Sequence, residues 1–161
     1  MRRAAGAPVL RRASAGLALL AGAVLLATAL LTTVSVTLRW LSGQPVKGDF
    51  ELVSLGSGLA VLGFLAWATH QRANILVDSF TTWVPARVNA ALDGFWSLIW
   101  AAVALLIAER MWQGALDTFR SGTRTMGLLA LPYWWAVAVG SACFALTGLI
   151  ALLAAPRLTR S

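Results

Sequence analysis

The residues able to do chemistry are few and scattered. His70 is the sole histidine and Cys143 the sole cysteine of the 161 residues. Paired-histidine zinc sites, bis-histidine haem ligation and an intrachain disulfide are therefore excluded. The six acidic side chains, Asp49, Glu51, Asp78, Asp93, Glu109 and Asp117, form no cluster of metal-ligand spacing. Neither a G-x-x-x-x-G-K-[ST] phosphate loop nor a G-x-S-x-G nucleophile elbow occurs. His70 reads as an interfacial polar residue, and Cys143, inside an apolar run, as a small buried hydrophobe. The chain is not read as an enzyme, and no cofactor or metal site is expected in it.

The elements that carry these residues are made for lipid. Hydrophobic residues are 59% and charged residues 12% of the chain, with a mean hydropathy of +0.77. So few charges cannot cover the surface of a soluble domain of this size. The net charge is +7, from 13 basic and six acidic residues. In a soluble protein that excess would suggest nucleic acid. Here the arginines stand in ones and twos between apolar runs, as flanking charge that orients membrane spans, and no nucleic-acid partner is expected.

The runs predict a single membrane domain over residues 1–161, all-α, with four transmembrane helices at about 15–38, 51–70, 94–112 and 131–154. The third is the shortest: only 15 residues separate Asp93 from Glu109, which sets one of those acids near a membrane boundary. Pro132 is placed in the first turn of the fourth, where proline is tolerated. Ala27-Thr28-Ala29 matches a signal-peptidase site, but the apolar stretch runs on to Leu38, longer than a signal h-region, so an uncleaved span is expected. With the N-terminus inside, the inner segments carry eight basic residues and the outer ones five, which predicts both termini in the cytoplasm.

Between spans two and three, residues 75–92 are too polar to cross. Phe80, Val84, Val88 and Leu92 recur every four residues with polar side chains between them. That pattern predicts an amphipathic interfacial helix, opened by Asp78 as cap and broken at Pro85, whose second piece can continue into span three. Small residues in span two (Gly56, Gly58, Gly63) and along one face of span four (Ala136, Gly140, Gly148) favour close helix approach. Either internal packing or contact with another subunit would use them.

No ionisable group lies deep in spans one, two or four, and only Glu109, followed by Arg110, approaches that description in span three. Deep ionisable groups are what an autonomous ion-coupled carrier uses. The chain therefore reads as a partner-dependent subunit. Glu109 and Arg110 are candidate subunit contacts, because adjacent positions on a helix diverge and one can face protein while the other reaches headgroups. Arg39, Lys47, Asp49, Arg120 and Arg124, on the outer loops, are candidates for receiving a soluble partner by complementary charge. An autonomous four-span exporter, or another small membrane anchor or assembly subunit, is the alternative.

One run of motifs resembles a known family. Arg72-Ala73-Asn74-Ile75-Leu76-Val77-Asp78, then Phe80, Pro85, Arg87, Leu92 and Asp93, are similar to a basic stretch followed by H-I-x-V-D, L-P-x-R and L-D. Glu51-Leu52 resembles that family's E-L pair, and Leu131-Pro132-Tyr133-Trp134 its L-P-x-W. The order of these pieces on a four-span chain resembles the DctQ-type small permease subunit of tripartite ATP-independent periplasmic (TRAP) transporters, over residues 39–150. Asn74 departs from the family's histidine, and Val139 precedes Gly140 where a proline is common.

The resemblance implies a bacterial inner-membrane, multi-pass subunit. Its partners would be a large permease, which holds the substrate and sodium sites, and a periplasmic receptor that delivers an organic acid. It also implies structural or interface roles for Glu51, Arg72, Asn74, Ile75, Val77, Asp78, Pro85, Arg87, Asp93, Pro132, Trp134 and Gly140.

Overall fold

The computed structural model describes residues 7–71 and 86–158. These form α1 (Ala7–Ser42), α2 (Asp49–His70), α3 (Ala86–Ser121) and α4 (Trp134–Leu158), and there is no strand among them. All four are long and apolar enough to cross a membrane. The expected all-α class, with four helices of membrane-spanning length, is thus the architecture of the described residues. Arg72, Asn74, Ile75, Val77, Asp78 and Pro85, and with them most of the interfacial helix expected at 75–92, lie outside the described residues. Its last part, from Ala86, is the first turns of α3.

The helices form an open row and not a closed bundle. α1 packs along α2, α2 along α4, and α4 along α3, with no comparable packing of α1 on α3 or α4. Chain order and spatial order therefore differ, and α1 and α3 become the two free edges. One hydrogen bond reaches across from α3 to α2, from Trp100 Nε1 to Thr69 Oγ1 at 3.4 Å.

Small residues bring the helices together. On α3, Ala101, Ala104 and Ala108 are buried against α4. Ala101 and Leu105 face Gly148 closely enough that a Cβ there would stand 3.2 Å from the Ala101 carbonyl oxygen and 2.7 Å from Leu105 Cγ. Farther along, Ser141 Oγ donates to the Ala108 carbonyl at 2.7 Å in a buried site. Bonds of this kind between membrane helices contribute on the order of 0.6 kcal/mol on average. Gly140 sits where three helices meet, with Met111 Cε of α3 and Leu62 Cδ1 of α2 both against it. Between α1 and α2, Gly63 meets Ala21, and Gly56 meets Thr28. The glycine spacing noted in spans two and four thus serves internal packing, except at Gly58, which faces open space.

α3 is much longer than its apolar run. Its 36 residues extend about 54 Å at 1.5 Å per residue, so the helix continues through Glu109, Arg110, Gln113 and Asp117. It ends in a Schellman arrangement: Gly122 N–H donates to Phe119 O at 3.3 Å and Thr123 N–H to Thr118 O at 3.2 Å. Gly122 supplies the required positive φ of 64°.

Candidate functional site

Both connections described, α1–α2 and α3–α4, lie at one end of the row, and the polar side chains there are organised around the first turn of α2. Asp49 and Glu51 both stand in that turn, where a carboxylate is favoured by the helix dipole. Gly48 precedes them as N-cap with φ 76°, a conformation glycine adopts without strain.

Asp49 turns toward α1. Its Oδ2 accepts a hydrogen bond from Ser35 Oγ, and Ser35 in turn accepts the Val46 N–H at 3.2 Å. The α1–α2 loop is thereby tied to the helix it leaves. Asp49 is half-buried, whereas Arg39, Lys47, Arg120 and Arg124 are exposed at the same end.

Glu51 turns the other way and is only 6% exposed. Among the described residues it is the one charged side chain that is buried. Its Oε2 accepts the Leu129 N–H at 3.2 Å, across 78 residues of sequence, and its carboxylate packs on Gly127. Oε1 has no hydrogen-bond partner. Leu129 also packs on Gly48, so the α3–α4 connection is clasped to α2 at two adjacent points.

That connection is a hairpin. Thr125 N–H donates to Leu131 O at 2.9 Å, Leu131 N–H to Thr125 Oγ1 at 2.9 Å, and Tyr133 N–H to Thr123 O at 3.3 Å. Arg124 and Pro132 form an isolated antiparallel bridge, and Ala130 takes a positive φ of 46°. Pro132 therefore stands ahead of α4 and not in its first turn. Trp134, which opens α4, packs edge-on to Phe119 of α3 with ring centroids 5.3 Å apart. Met126 and Leu128 are fully or largely exposed at the tip.

The other sequence-selected residues do not join this cluster. Gly140 is buried at the junction of α2, α3 and α4. Asp93 is exposed on α3, and Arg87 lies in its first turn. Glu109 and Arg110 are exposed on α3 and are linked through Gln113: Gln113 Nε2 donates to Glu109 Oε1 at 3.0 Å, and Arg110 Nη1 donates to Gln113 Oε1 at 3.4 Å. Ser35, Gly127, Leu129 and Gln113 escaped the sequence reading. Only Gln113 had a local signal, its i+4 spacing from Glu109.

The described residues hold no group of three or more His, Cys, Asp or Glu positioned for a metal ion. Glu51 has no basic side chain as a hydrogen-bonded partner and serves to hold a loop.

Comparison with known families matches residues 28–161 to tripartite ATP-independent periplasmic transporters, DctQ component. No curated protein and no solved structure matches the chain. The match covers most of the sequence and includes all four apolar helices, α1 from its Thr28 onward. The chain belongs to the DctQ component family of tripartite ATP-independent periplasmic transporters.

Proposed function

We propose that this protein is the small membrane subunit of a three-component uptake system in the bacterial inner membrane, with both termini in the cytoplasm. It scaffolds a large permease that carries the solute and sodium sites, and a periplasmic receptor delivers an organic acid to the complex. Family membership over residues 28–161 is the observation that carries this reading. The geometry supports it in a second way. The one buried charged side chain among the described residues, Glu51, is engaged by a loop at the end of the row, away from the middle of any helix. A carrier acting alone needs a buried ionisable group at depth, and Glu109 and Arg110 of α3 are exposed instead.

Expression of the tagged chain together with a large permease subunit of the same system tests the reading. The two should co-purify in a defined ratio and restore sodium-dependent uptake with their receptor. Recovery of the chain free of any permease would overturn it.

The exposed arginines at the hairpin end give a further expectation. Arg120 and Arg124 contribute long-range attraction to a negatively charged receptor surface, an effect on encounter rate that salt screens. With both changed to glutamine, association of receptor with the complex should slow and should vary less steeply between low and high salt. Stopped-flow association at two ionic strengths measures this. An unchanged salt dependence would remove both residues from the receptor surface.

A further inference from the structure

The two free edges of the row are chemically unlike. Along α1, no charged residue occurs between Arg12 and Arg39, and Leu19, Leu26, Leu30 and Val34 are exposed in between. Lipid satisfies such an edge. The α3 edge exposes Leu98, Val103 and Leu106, but also Glu109, Arg110, Gln113 and Asp117. Glu109, Gln113 and Asp117 recur at intervals of four and so line one face of the helix.

Depth makes this stripe unusual. Met111, between Arg110 and Gln113, lies against Gly140, and Gly140 lies against Leu62 of α2. Leu62 is 11 residues past Glu51 and eight short of His70, near the middle of α2. The next residue, Gly63, meets Ala21 inside the uncharged part of α1. The inner end of the polar stripe is therefore level with helix segments that carry no charge at all. Ionisable groups at such depth face protein or a water-filled cavity, because hydrocarbon offers them no partner. Within the chain the stripe is only partly satisfied. Glu109 and Arg110 meet through Gln113, and Asp117 has no hydrogen bond or ion pair to any described residue.

We infer that the large permease docks on the α3 edge of the row through the Glu109–Arg110–Gln113–Asp117 stripe, and that the α1 edge remains in lipid. This rests on the reading of the chain as a permease subunit. The contact calls for a partner helix with a basic group near Asp117 and amide or hydroxyl groups beside Glu109 and Arg110. Leu98, Val103 and Leu106 supply the apolar continuation of the same edge. The polar contacts fix register, because sliding the partner by one turn leaves charges unmatched in a medium that does not solvate them.

Site-specific photo-crosslinking in the intact complex in native membranes tests the docking edge. A photoreactive residue at position 113 should give a covalent adduct with the large permease, and one at Leu30 should give lipid adducts only. Charge reversal by Arg110→Glu should lower recovery of the permease about tenfold or more, because it sets a second carboxylate beside Glu109 in a desolvated contact with no cation to offset either. Glu109→Gln, which keeps an acceptor for Gln113, should have a smaller effect. Adducts from Leu30 with none from position 113, in a complex that is otherwise recovered, would overturn the inference and leave the functional reading standing. So would a recovery that Arg110→Glu does not change, which would mean that the row tilts enough to carry the stripe into the headgroups. If the unsubstituted chain recovers no permease at all, the functional reading fails first.

Discussion

Gly148→Val should strongly reduce recovery of the folded subunit, and with it assembly of any complex. The position permits no retreat. A Cβ at Gly148 would approach the Ala101 carbonyl oxygen, which is backbone, to 3.2 Å, and Leu105 Cγ and Cδ2 to 2.7 and 2.9 Å. Leu105 is partly exposed and can swing away, but the α3 backbone can move only by separating the two helices. Separation would open the contacts of Ala101, Ala104 and Ala108 and the Ser141–Ala108 bond at once. Overpacking of this kind costs about 1–3 kcal/mol and is felt over the whole interface. Gly58→Val serves as control, since nothing lies within 4 Å of a Cβ there. The check is the monodisperse yield after detergent extraction: near normal for Gly58→Val and strongly reduced for Gly148→Val. Equal yields would show that α3 and α4 are not held as closely as described.

The second large effect is expected at Gly127. Any side chain there enters the space of the Glu51 carboxylate, so Gly127→Val must lift the hairpin from α2. The Leu129 N–H bond to Glu51 and the packing of Leu129 on Gly48 then go together. A carboxylate that loses its donor while still buried costs about 1–3 kcal/mol or more. The helices should survive, because their contacts do not pass through the hairpin. Amide exchange at Leu129 and Leu131 should accelerate, and trypsin should cut faster after Arg124, while helical content stays the same. Protection as strong as in the unsubstituted chain would contradict the clasp. Glu51→Gln separates charge from shape, since an amide oxygen can still accept the Leu129 N–H. It should leave exchange nearly as slow.

The fold class was open to reading because hydropathy reports helix length directly. Charge-free runs located all four helices. The limits of that signal show at α3, where Glu109 ends the apolar run but not the helix. A helix continues as long as its backbone bonds are made and one face is packed, and packing on α4 through Met111 and Phe119 carries it on to Ser121. Residues 125–131 show the opposite case. They are apolar enough to pass for the start of span four, yet they form a hairpin, with Gly127 against a carboxylate and Ala130 at positive φ. Hydropathy does not distinguish a lipid-facing turn of helix from a loop clasped to a neighbour.

The clasp was hidden for a related reason. Glu51 stands out only through the resemblance of Glu51-Leu52 to the family's E-L pair, but its partners lie 76 and 78 residues away, and no local pattern couples positions so far apart. Asp49 reads from the sequence as one of the outer-loop charges that could receive a soluble partner, yet it is half-buried against α1. Its hydrogen bond to Ser35 depends on how α1 returns into α2. The row order, with α4 between α2 and α3, likewise follows from which small-residue faces meet, and glycine spacing alone names no partner.

We propose that this chain moves no solute by itself and acts only within a larger complex. Purified subunit is reconstituted alone into vesicles carrying a sodium gradient, beside vesicles that also hold the large permease, with receptor and labelled solute added outside. The first set should show no accumulation and an undisturbed sodium gradient, and the second receptor-dependent accumulation. Uptake by the subunit alone would contradict it.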